Sequence, residues 1–199
     1  MIIRNAQPSD IPDLARIHHR ALPDDFLPSL GQDFLEAVYY PAALLSQYGR
    51  TLVIEQDSSV AGFVTVAHES DLFSQDVLRN QWHMIARYTI RAALRKPFHV
   101  LKSAEVLGSV LFSTPDPVKG EIVFIALAPE FQGQGLGRML VTAALEYLKS
   151  QGYTECRTKT LTTNIHVIRM YEKMGWQVRN RMRLIGREYV IVTYRSTSP

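Results

Sequence analysis

Cysteine is all but absent from this chain: Cys156 is alone among 199 residues. A single thiol excludes an internal disulfide and any zinc site built from several cysteines, and it fits a reducing compartment. Long apolar runs are missing as well. No stretch reaches the roughly 18 uncharged apolar residues of a spanning helix. The opening, MIIRNAQPSDIPDLARIHHR, is broken by polar and charged side chains and has no apolar core of a secretory leader. Internal repeats, low-complexity tracts and metal-ligand spacings are lacking too, so no metal is expected. Together these absences predict a chain of the cytoplasm, folded as one globular domain over 1–199.

Net charge is low, +3 at pH 7, with 46% apolar and 21% charged residues. Its distribution is uneven. Segment 77–104 carries Arg79, Arg87, Arg91, Arg95, Lys96 and Lys102 and no acidic residue, so the remainder is slightly acidic. Arg79, His83, Arg87, Arg91 and Arg95 recur every fourth residue beside an apolar set that includes Leu78, Trp82, Ile85, Ile90 and Leu94. This is the pattern of an amphipathic helix with a basic face. Its plain reading is a solvated surface; its sharper one is a surface for an acidic substrate, an anionic membrane or nucleic acid. No recognition motif accompanies the charge, so no specific nucleic-acid partner is expected.

Along the chain, MIIRNA reads as a strand, and Ser9 caps an amphipathic helix carrying Ile11, Leu14, Ala15, His18 and Leu22. A second helix follows at about 32–40, and RTLVIEQDSSVAGFVTVAHE alternates around a polar turn as a hairpin does. Residues 71–112 read as mostly helical with a break at Pro97, and EIVFIALA as a strand rich in β-branched residues. After it come a helix to Gly152, the strand YTECRTKTLT, a helix that Asn164 caps and Gly175 stops, and two closing strands around Gly186. The alternation of strands and helices defines a mixed α/β chain.

Between strand and helix lies APEFQGQGLGR, with Gly133, Gly135 and Gly137 at alternate positions. Glycine opens positive φ and removes the Cβ at an entropic cost, so three in five positions imply that something approaches the backbone. A dinucleotide fingerprint fails at Arg138, and the next strand has no acidic residue at its end for a ribose. A P-loop fails because Arg-Met, not Lys-Ser/Thr, follows the last glycine. What remains is a glycine-led helix N-terminus with Arg138 beside it, a suitable cradle for a pyrophosphate.

At this point the chain resembles the GNAT acyltransferases, whose acetyl-CoA pyrophosphate loop reads Gln/Arg-x-x-Gly-x-Gly/Ala. Gln132, Gly135 and Gly137 take its specified positions. The strand VFIALAPEF before the loop and the run from Asn164 through YEKMGW after it resemble the family's flanks over 121–176. The resemblance implies a mostly antiparallel central sheet of about seven strands flanked by helices, here with a helical insertion at about 71–112 on the acceptor side. It implies acetyl-CoA as co-substrate, held by Leu127, Gln132, Gly133, Gln134, Gly135, Leu136, Gly137, Arg138 and Asn164. The acetyl group would pass directly to a primary amine, of a small molecule or, alternatively, a protein lysine or N-terminus. A fold that binds acyl-CoA without transferring it is the rival reading.

A lysine-like amine, with a pKa near 10.4, must lose a proton before it can attack, and the departing thiolate must gain one. The resemblance implies Tyr171 as the acid that supplies it, a backbone N–H near Leu127 as the group that polarises the thioester, and Glu121 as the base. Alternation puts Glu121, Val123, Ile125 and Leu127 on one strand face until a bulge, which the family carries near Leu127, reverses it. The face that meets the substrate stays open on sequence alone. Cys156 has no neighbouring histidine and reads as a small core residue. His18 and His19 lie on the helix that shapes the family's acceptor pocket, and at most one of them faces it. The closing strands offer an edge on which two copies can pair.

Overall fold

A computed structural model describes residues 1–23, 25–84, 87, 116–184 and 186–196. Among these, seven strands form one sheet in the order β1-β2-β3-β4-β5-β7-β6. They are β1 (Ile2–Asn5), β2 (Gly49–Gln56), β3 (Ser59–Ala67), β4 (Gly120–Leu127), β5 (Glu155–Leu161), β6 (Gln177–Leu184) and β7 (Arg187–Arg195). Every pairing is antiparallel except β4 with β5. That parallel pair is short: Gly120, Glu121 and Ile122 face Cys156, Arg157 and Thr158, and there it ends.

Helices cover both faces, which is why β3 is buried at every position after Ser59 and is apolar but for Thr65, whose hydroxyl bonds that of Thr51 at 3.1 Å. On one face lie α1 (Ile11–Ala21), α2 (Phe26–Ser29), α3 (Gln32–Phe34), a π-helical turn (Leu35–Tyr39), α4 (Tyr40–Leu45) and α5 (Ser70–Asn80). Leu14, Ile17, Phe34, Leu35, Tyr40, Phe63 and Phe73 fill the core beneath them. On the other lie α6 (Leu136–Ser150) and α7 (Ile165–Lys173). There Leu136, Leu140, Val141, Ala144 and Leu148 form a helical stripe against Val64, Ile122, Val190 and Val192.

One local expectation changes. Ser9 does not cap α1; a short 3₁₀ turn, Pro8–Asp10, precedes it, and the Asp10 carboxylate accepts from the Gln7 N–H at 2.7 Å and from Arg4. The buried acid is thereby satisfied by a cation and an amide, which a solvent-facing serine would not do. Of the expected insertion, α5 with Arg79 is described, and Arg91, Arg95, Lys96, Pro97 and Lys102 lie outside the described residues.

Candidate active site

The parting of β4 from β5 opens the middle of the sheet. Beyond Ile122, β4 stays with β3 and β5 stays with β7, so the two strands diverge and their facing backbone groups are left without each other. On β4 the pairing with β3 shifts between Phe124 and Ile122, which makes Val123 a bulge. The expected bulge thus exists but lies four residues before Leu127. It reverses the alternation: Ile122 packs under α6, while Phe124 and Ala126 turn to the α1 face and Ile125 and Leu127 to the α6 face.

Leu127 closes β4 opposite Gly62. The Ala128 N–H donates to Ala61 C=O at 2.9 Å, so residues 61 and 128 form a hydrogen-bonded pair. Alternation then makes 62 and 127 a non-bonded pair and turns the Leu127 N–H away from β3, towards the opening. Gly62 is required there, because a Cβ would meet the Ala126 carbonyl oxygen at 2.6 Å.

The glycine run follows a 3₁₀ turn, Pro129–Phe131. Gly133 and Gly135 hold φ of +77° and +82°, which side-chain-bearing residues rarely adopt. Gly135 is the N-cap of α6, and no side chain caps the helix. Among the described residues, the amides of Gly133, Gln134, Gly135, Leu136 and Gly137 have no acceptor. Gly137 is different: its φ is ordinary, and a Cβ would sit 3.5 Å from Met170 Sδ and 3.8 Å from Leu127 Cδ1, in normal contact. Gln132 is exposed, and its side-chain amide donates to Leu127 C=O at 3.4 Å. Gln134 donates to Glu130 C=O, and exposed Arg138 forms no ion pair with a described residue. These five amides and one cation fit a pyrophosphate.

Across the opening, Asn164 is the N-cap of α7, yet its side chain does not bond the helix and remains available. Tyr171, two turns on, is buried against Trp176 with ring centroids 4.8 Å apart. Its hydroxyl has no hydrogen-bond partner among the described residues. Burial raises the phenol well above its ordinary value and Cys156 adds to this; nearby Thr158 offsets it in part, although its hydroxyl proton is already donated to Ile122 C=O. Cys156 is itself buried, and burial likewise raises its thiol far from the thiolate form. That leaves it a core residue rather than a nucleophile.

Glu121 faces the α1 side, in the same layer as Tyr39, and is 6% exposed. Arg157 Nε and a terminal nitrogen donate to its Oε2 at 3.0 and 2.7 Å, and Lys159 Nζ lies 3.5 Å from Oε1. Burial alone would raise the carboxyl, but Lys159 and Arg157 overcome it and hold it below the usual glutamate range. The other terminal nitrogen of Arg157 lies 2.6 Å from Asp116, which Arg179 also grips at 2.8 and 3.0 Å. This chain of charges is absent from the sequence reading. Its one local trace is the alternation of Arg157 and Lys159 in RTKT, which places both on one face of β5.

His18 is fully buried and His19 exposed, so only the first looks inward. His18 Nδ1 is 2.9 Å from the Tyr40 hydroxyl, its ring centroid is 4.6 Å from that of Phe124, and its Nε2 has no described partner. Burial, helped by His19, lowers its pKa to about 3, so it is neutral. The π turn sets Tyr39 and Tyr40 side by side in this aromatic group.

A sheet parted at its centre over a run of unbonded amides at a glycine-led helix defines a class of α/β proteins built to take a phosphate-bearing ligand between two strands. The acetyltransferase (GNAT) family model matches residues 70–176, and the chain belongs to that family. N-acetyltransferase 8B of Rattus norvegicus is 29% identical over 109 residues, covering 49% of this chain and 49% of the relative. A mycothiol acetyltransferase of Rhodococcus opacus is 32% identical over 62 residues, 31% of this chain and 20% of the relative. The chain thus spans about half the length of the first and a fifth of the second. An acetyltransferase structure from Salmonella typhimurium, solved with its cofactor acetyl-CoA, superposes with a TM-score of 0.64 at 16% identity, over 100% of this chain and 97% of that one. This is a likeness of fold. Among the described residues, no helix is long and apolar enough to cross a membrane.

Proposed function

We propose that this protein is an N-acetyltransferase that moves an acetyl group from acetyl-CoA directly to a primary amine of a small molecule. The observation that carries the reading is the row of amides from Gly133 to Gly137, with no acceptor among the described residues, beside the parted strands. Acetyl-CoA supplies the acetyl group as an activated thioester. The amides and Arg138 hold its pyrophosphate, Asn164 contacts it from α7, and the Leu127 N–H polarises the reacting carbonyl. The amine nitrogen forms the new C–N bond as the C–S bond breaks. Glu121 Oε1, the oxygen that Arg157 leaves open, takes the proton the amine loses, and the Tyr171 hydroxyl gives one to the departing sulfur.

Release of free thiol from acetyl-CoA, followed across a panel of small primary amines, tests this. Amine-dependent release with a matching N-acetyl product supports transfer. One observation favours a second reading, a binding module without transfer: Glu121 is already engaged by two cations and is a weak base. Tight acetyl-CoA binding with no product from any amine would establish that reading and sink the first.

A further inference from the structure

Among the described residues, the charges around Glu121 do not balance. Two carboxylates, Glu121 and Asp116, face three cations, Arg157, Arg179 and Lys159. Arg157 spans both carboxylates and also donates to the Ser70 hydroxyl at 3.0 Å, and Arg179 grips Asp116 with two contacts. Lys159 has only the 3.5 Å approach to Glu121 Oε1, longer than the 2.7–2.9 Å usual for a charged N–H···O⁻ pair, and its side chain stays 45% exposed. Among the described groups of this cluster, the surplus positive charge therefore rests on Lys159, whose ammonium has donors to spare.

Its position on the strand matters as much as its charge. Thr158 is the last residue of β5 paired with β4, so Lys159 is the first beyond the parting and stands at the lip of the opening. Cys156 and Thr158 are buried on the α6 side, which turns Arg157 and Lys159 to the opposite face, the one Glu121 shares. Beside Lys159 on β7 is half-buried Ile191, and the next rung holds Leu161, Tyr189 and Met182, all half-buried. A cation bordered by apolar side chains at the mouth of a cleft suits a ligand with one negative group and an apolar body.

We propose that Lys159 docks a carboxylate of the acceptor, and that the acceptor is a short amino carboxylate with an apolar side chain. This rests on the transferase reading for its chemistry. With Nζ and Oε1 only 3.5 Å apart, an amine placed at Glu121 and a carboxylate placed at Lys159 belong to one compact group, with one or two carbons between them. The amine lies between the two carboxylates and screens them from each other. An amino carboxylate with a long spacer meets only one of the two anchors.

L-Leucine and L-leucinamide differ in that one negative charge and are the probes. Binding of each to the protein with CoA present is measured by calorimetry, and thiol release from acetyl-CoA is followed with each. The wild type is expected to bind leucine at least about tenfold more tightly than the amide. Lys159→Met abolishes the preference, and Lys159→Arg keeps most of it, with acetyl-CoA affinity unchanged in both. Equal binding of the pair by the wild type, or a preference that survives Lys159→Met, overturns the inference. Should Lys159→Met fail to fold, the wild-type comparison and the arginine variant still decide. Thiol release with leucinamide but no preference for leucine sinks the inference and leaves the transferase standing. A carboxylate preference with no turnover of any amine keeps the Lys159 site and sinks the transferase.

Discussion

Tyr171 carries a buried hydroxyl with no hydrogen-bond partner among the described residues, and this gives a clean test of its role. Removing an unsatisfied buried polar atom relieves its desolvation, so Tyr171→Phe should leave the melting temperature unchanged or raise it. The same change should lower kcat by about 100-fold or more if the hydroxyl supplies the proton, with KM for acetyl-CoA within about twofold. Parallel loss of stability and rate would mark a packing residue instead. Glu121 makes a prediction of opposite sign. Its carboxyl, lowered by Lys159 and Arg157 against the pull of burial, contributes stability that is complete above the ordinary glutamate range and vanishes as pH falls through its depressed folded value. Glu121→Gln should destabilise by about 3 kcal/mol at pH 7, since it leaves Arg157 and Lys159 short of a counter-charge. In urea unfolding that gap should close only as pH falls below the depressed folded value of the Glu121 carboxyl, where both side chains are neutral. A gap that persists in acid would assign the loss to packing.

The loop between β4 and α6 divides its three glycines by purpose. Gly135 needs its left-handed backbone, so Gly135→Ala should cost about 1–2 kcal/mol of stability as well as acetyl-CoA affinity. Gly137 has helical φ and ordinary neighbours, so Gly137→Ala should be neutral or gain about 0.5–1 kcal/mol. If it also raises KM for acetyl-CoA about tenfold, the third glycine serves the ligand and not the fold; an unchanged KM would remove it from the site. This element was legible in sequence because everything it needs lies within seven consecutive residues. The strands and most helices were legible for the same reason, their periodicity being local. The surroundings of Glu121 were not. Its face depends on an extra residue at Val123, which no alternation pattern marks, and its partners arrive from 36 and 38 positions away on β5. His18 was readable as inward-facing only once the helix had a sheet to face, and the π turn that adds Tyr39 leaves no trace in composition.

At the scale of the molecule, the sheet is two leaves, β1 to β4 and β5-β7-β6, joined by three residues of parallel pairing. Arg157 reinforces the joint, bonding from β5 to Glu121 on β4, to Ser70 at the start of α5, and to Asp116. Arg157→Met should therefore loosen the second leaf more than the first. Amide exchange at 158–161 should accelerate at least about tenfold while that at 62–66 changes little. Uniform acceleration would mean that the sheet opens only as a whole. The parting also bears on how such a protein can be altered. The glycine loop hangs from the end of the first leaf, Asn164 caps α7 between β5 and β6, and Lys159 stands on β5, so the lip can be exchanged apart from the proposed donor contacts. A graft that replaces only 158–161 and the strands beyond α7 exchanges the lip and keeps the glycine loop and Asn164, which makes this joint the place to cut when testing what the proposed site accepts.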